Sequence, residues 1–101
     1  MPAAKKVAPK AKQEEAILYD FYGTECPHCK EMDPLIEKLE KEEKVKVTKL
    51  EVWHNSQNQK LFEQLDNGKC GGVPFFYNTK TKKWLCGSCD YVTFKKWAVG
   101  K

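Results

Sequence analysis

Apolar positions fall in short runs whose spacing switches between strand-like and helix-like periods. Ala16-Ile17-Leu18-Tyr19-Asp20-Phe21-Tyr22 is rich in residues that suit a buried pleated surface and predicts a first strand over 16–22. Met32, Leu35, Ile36 and Leu39 then recur at helical spacing, predicting a helix over 27–43. Pro27 suits its first turn, where the missing N–H has no intrahelical partner, and Pro34 should kink its interior. Valines at 45, 47 and 52 mark a second strand within Lys44–Trp53. Ser56 and Gln59 have capping-box spacing and open a helix that turns Leu61, Phe62 and Leu65 inward, until Asn67-Gly68 stops it. Val73 to Tyr77 predicts a third strand, and a hairpin over Asn78–Lys82 returns a fourth through Trp84-Leu85-Cys86. Asp90 can cap a last helix carrying Tyr91, Phe94, Trp97 and Ala98 on one face. The predicted order is β-α-β-α-β-β-α, an α/β domain over 15–101, with Trp53, Trp84 and Trp97 at positions where core packing is the default. Residues 1–14 hold alanines, lysines and two prolines without periodicity and read as a disordered tail.

Charge narrows the choice of partners. All 18 basic residues are lysines, four of them within the first twelve positions. The remaining 14 lysines balance 14 acids, so the formal charge of +4 belongs to the tail. A neutral body without arginine is a poor nucleic-acid binder. No apolar run approaches the ~20 residues that span a bilayer, and the N-terminus lacks the apolar core of a secretory signal. A soluble cytoplasmic monomer is the expectation, with an organelle reached through a cleaved presequence as the alternative.

Five cysteines in 101 residues cannot all pair within one chain. Cys26-Pro27-His28-Cys29 closes the first strand and opens the first helix. The Cys26 sulfur is therefore expected at a helix N-terminus, where free N–H groups and the positive dipole end favour the reactive thiolate. A strand, a Cys-x-x-Cys and a helix point to redox chemistry first and to a metal site second. Cys86-Gly87-Ser88-Cys89 repeats the spacing, while Cys70 stands alone and reads as a small apolar residue. His54 reads as a surface histidine.

This order, with a dithiol after the first strand and Val73-Pro74 opening the third, resembles the thioredoxin fold over about residues 16–99. Asp20 matches the family's buried aspartate behind the active site, and Pro34 its helix-kinking proline. Lys49 matches the lysine that neighbours the aspartate, Val73-Pro74 the cis-proline loop, and Gly87 a glycine rimming the substrate groove. The chain departs from full thioredoxins in lacking their first strand and helix. Glu25 stands in place of the tryptophan before the dithiol, and Pro27-His28 are the inner residues found in DsbA-type dithiol oxidases. The resemblance implies a thiol–disulfide oxidoreductase acting on protein substrates, a disulfide reductase first and a DsbA-like oxidase as the alternative. Cys26 would be the exposed attacking sulfur and Cys29 the resolving one. Asp20 and Lys49 would manage the proton, with Val73, Pro74, Gly72 and Gly87 docking the substrate. His28 would stabilise the Cys26 thiolate and Glu25 would oppose it. No cofactor is expected beyond the cysteines, though an electron donor such as a thioredoxin reductase or glutathione must exist.

Three readings compete for Cys86 and Cys89: unpaired thiols, a second dithiol that relays electrons or regulates, and half of a four-cysteine zinc site with Cys26 and Cys29. The zinc reading carries the rival function, a metal-stabilised binding module. An inactive scaffold is a further rival, opposed by the intact Cys26–Cys29 pair.

Overall fold

A computed structural model describes residues 17–100. The tail over 1–14 lies outside the described residues, as does Ala16 of the predicted first strand. The elements are β1 (Leu18–Tyr22), α1 (Pro27–Glu43), β2 (Val47–Glu51), α2 (Ser56–Asp66), β3 (Phe75–Asn78), β4 (Trp84–Cys86) and α3 (Tyr91–Val99). They form a four-stranded sheet in the order β2-β1-β3-β4. β1 runs parallel to β2, and the other two pairings are antiparallel. The architecture is the small α/β thioredoxin-like fold expected, with the predicted element order.

Strand alternation divides the core between the two faces of the sheet. Leu18, Val47 and Phe76 pack with Met32, Ile36 and Leu39 of α1 and with Phe94 and Trp97 of α3. Phe21 and Phe75 point to the other face, where Leu61, Phe62 and Leu65 of α2 cover them. Aromatic rings join each layer: Phe76 lies 5.0 Å from Phe94, and Phe62 lies 5.5 Å from Phe75, both edge to face. Asp20 is two residues from Leu18 and shares its face, so the alternation that builds the core also buries this carboxyl beneath α1.

Several local expectations change. Pro34 lies in the interior of α1, which runs on past it to Glu43. α2 is capped by Asn55, whose side chain accepts the Asn58 N–H at 3.0 Å, so Ser56 is its first helical residue. Asn67 ends it in the left-handed region, where an asparagine is tolerated. Asp90 caps α3 as expected, accepting the Thr93 N–H at 2.9 Å. Only Trp97 among the tryptophans is buried; Trp53 is 52% and Trp84 37% exposed. Trp53 is excluded from the core because it follows the end of β2 and its ring lies over Gly23, in space that a side chain there would need.

Candidate active site

The dithiol is built by the entry into α1. The Cys26 N–H donates to the Gly23 carbonyl at 3.0 Å, closing a turn, and Cys26 then serves as the N-cap of the helix. Its sulfur accepts the Cys29 N–H at 3.2 Å, and Pro27 follows where no N–H is needed. Cys26 and Cys29 are both free thiols. The expected exposed attacking sulfur is not found: Cys26 is only 4% exposed, close to the 5% of Cys29. Two contacts account for this. The sulfur folds back as a cap on its own helix, and it lies 3.9 Å from the Val73 carbonyl oxygen on the facing loop.

That loop is held from three sides. Val73–Pro74 is a cis peptide, and the Pro74 carbonyl accepts the Gly87 N–H at 2.8 Å, placing Gly87 beside the loop. Asp66, buried at the end of α2, accepts the Cys70 and Gly71 N–H groups at 2.6 and 2.9 Å. A disulfide then joins Cys70 to Cys86 at the end of β4, whose Cα atoms stand 5.5 Å apart. Gly72, between these tethers and Val73, is half-buried.

The disulfide overturns two expectations. Cys70 is a bonding partner rather than a small apolar filler, and Cys86 is paired with it rather than with Cys89. Gly87 takes a left-handed φ of 85° and redirects the chain after Cys86, while Cys89 is half-buried against the core cluster. Cys89 is a free thiol raised above its ordinary value, chiefly by burial. Among the described residues no group of three or more His, Cys, Asp or Glu side chains is placed to hold a metal ion. The four-cysteine zinc site is not assembled, since one of its ligands is already bonded to Cys70.

Behind the dithiol lies Asp20, 2% exposed, with one carboxyl oxygen lacking any hydrogen-bond partner. Burial pushes its pKa up to about 7; Lys49 opposes the rise and Asp33 adds to it. Burial, together with the bond to Cys26, also raises the Cys29 thiol well above its ordinary value. Cys29 is thus held in its protonated form beside a buried carboxyl that titrates near neutrality. Lys49 stands opposite Asp20 in register, yet its ammonium bonds the Asp33 carboxylate at 2.8 Å.

The charged residues beside the dithiol are exposed and paired with other side chains. His28 bonds Glu31 through Nδ1 at 3.1 Å, with both side chains more than half exposed. Glu25 is held by His54, whose Nε2 lies 2.8 and 3.0 Å from the two carboxylate oxygens. That hydrogen bond, with the Glu25 charge, raises the imidazole above its ordinary value. Glu51 completes the brace by accepting the Thr24 N–H at 3.0 Å and the His54 N–H at 2.8 Å. His54 was expected only as a surface residue, and neither Asp66 nor Glu51 carried a motif. Their roles arise from contacts across the fold, which no local spacing announces.

Residues 5–83 match the family model described as Thioredoxin. No curated protein matches the chain. Among solved structures, the glutaredoxin from Archaeoglobus fulgidus superposes with a TM-score of 0.59 over 95% of this chain and 97% of that one, at 17% identity. That identity speaks for the fold alone. With the family match spanning most of its length, the chain belongs to the thioredoxin family.

Proposed function

We propose that this protein reduces disulfides in protein substrates through Cys26 and Cys29. The Cys26 thiolate attacks a substrate disulfide, forming a Cys26–substrate bond and releasing the first substrate sulfur as thiolate. Asp20 takes the Cys29 proton, and Cys29 then attacks the Cys26 sulfur and releases the second substrate thiol. The substrate gains two electrons and the Cys26–Cys29 pair loses them, so a thiol donor such as glutathione or a thioredoxin reductase must restore the dithiol. The sulfurs themselves carry the electrons, and no further cofactor enters the scheme.

The observation that carries this reading is the buried Asp20 carboxyl behind Cys29, titrating near neutrality with one oxygen unpartnered. A base there assists Cys29 in losing its proton at the resolving step. Val73-Pro74, facing Cys26, is the segment to which an extended substrate would add like a further strand. The bond from His28 to Glu31 favours reduction over the DsbA-like alternative, because it withholds the imidazole that would stabilise a Cys26 thiolate.

Insulin-disulfide reduction tests the proposal. Cys26→Ser should abolish turnover, and Cys29→Ser should stop the cycle at a mixed disulfide visible by mass. Turnover retained in Cys26→Ser would defeat the assignment.

A further inference from the structure

The in-register neighbour of Asp20 is a lysine that does not bond it. Asp20 and Lys49 stand directly opposite each other on β1 and β2, so their side chains leave the same face of the sheet. A lysine there has the reach to satisfy the unpartnered Asp20 oxygen. Its ammonium is instead 2.8 Å from the Asp33 carboxylate, with Nζ 5.1 Å from the centre of the Tyr22 ring. Asp33 stands on α1 one turn beyond Cys29, and its side chain is 44% exposed. A half-exposed carboxylate lets the ammonium keep part of its hydration, whereas the buried Asp20 would require most of it to be stripped.

From this arrangement we infer that Asp33 is a positioning residue: it draws Lys49 off Asp20 and so keeps the buried carboxyl free to accept the Cys29 proton. Few groups compete for control of Asp20. β2 presents Lys49, and α1 presents Asp33 and the Cys26–Cys29 pair. Tyr22 lies two residues along β1 on the same face. Phe76, opposite on β3, and Phe94 of α3 bring no charge. Among the described residues, Lys49 and Asp33 are the charged side chains that act on Asp20, so rearranging this pair changes what Asp20 meets. Loss of Asp33 frees the Lys49 ammonium to meet Asp20, its partner in register, with Glu37 of α1 a further carboxylate near Asp33 along the groove that Asp33 and Lys49 line.

The inference rests on the proposed reduction only for the purpose it serves; the positioning itself is read without activity. The test is carboxyl-carbon NMR titration of Asp20 in the full chain, for the wild type and for Asp33→Asn, Lys49→Met, the double variant and Asp33→Glu. Asp33→Asn should lower the Asp20 midpoint by about one pH unit or more, as a cation moves onto the carboxylate. Losing the Asp33 charge lowers the midpoint somewhat on its own, and the Lys49→Met background isolates that part. A clearly smaller shift in that background, with Asp33→Glu close to wild type, supports the inference. Equal shifts with and without Lys49 overturn it.

The pH profile for resolving a Cys26 mixed disulfide gives the second readout and should move downward with Asp33→Asn. A midpoint that falls while this profile stays still would uphold the positioning by Asp33. It would instead remove Asp20 as the base in the proposed cycle, so the two failures are distinct.

Discussion

Asp20 couples chemistry to stability, and the sign of that coupling can be worked out. Its folded-state value of about 7 lies above the ordinary 3.8, so the native protein holds a proton that the unfolded chain gives up. The resulting stabilisation is complete below about pH 4 and is lost as the pH rises through 7. The gap corresponds to about 4 kcal/mol at its largest, an upper figure for a carboxyl this deeply buried. Asp20→Asn should remove this slope and make the protein more stable than wild type at pH 8, measured by urea unfolding at pH 5 and pH 8. A parallel pH dependence in the two proteins would show that Asp20 is not the group responsible. The position of Asp20 was legible through family resemblance and strand alternation. Its environment was not, because Asp33 is 13 residues away in sequence and becomes a neighbour of Lys49 only once α1 lies over the sheet. The same holds for Glu25, which was expected to act on Cys26 and is instead bonded to His54.

At the level of elements, the loop facing Cys26 depends on long-range tethers. The Cys70–Cys86 disulfide closes a segment of 16 residues that contains all of β3 and the Val73–Pro74 peptide. Cross-linking a loop of that size contributes about 3 kcal/mol by restricting the unfolded chain. Replacing both cysteines with serine should lower the urea midpoint accordingly, and reducing the disulfide in the wild type should do the same. An unchanged midpoint would mean that the Asp66 bonds to Cys70 and Gly71 suffice to hold the loop. Among the described residues each predicted helix and strand is present, the helices because their apolar stripes cover the sheet and β3 and β4 because a hairpin joins them. None of the readings open for Cys86 included Cys70, because Cys-x-x-Cys spacing points to a local partner, whereas the turn at Gly87 leaves Cys89 half-buried against the core. The shift of the α2 cap from Ser56 to Asn55 is a similar near miss, since both residues can cap and only the backbone conformation decides.

For the whole molecule, the sheet order β2-β1-β3-β4 puts β1 at the centre, and the dithiol follows directly from its end. The end of β1 leads into the start of α1, and the cis-proline loop enters β3 alongside it. Cys26, Cys29, Asp20 and the Val73-Pro74 loop are thus held by one strand pair and one helix. Among the described residues no helix is long and apolar enough to cross a membrane. If Cys26 and Cys29 form a redox pair distinct from Cys70–Cys86, mass counting of alkylated thiols across a graded glutathione buffer, with each cysteine located by peptide mapping, should resolve it. The expected result is a two-electron step at reducing potential assigned to Cys26 and Cys29, absent in Cys26→Ser. A titration in which these two sulfurs never pair with each other, at any poise, would contradict it.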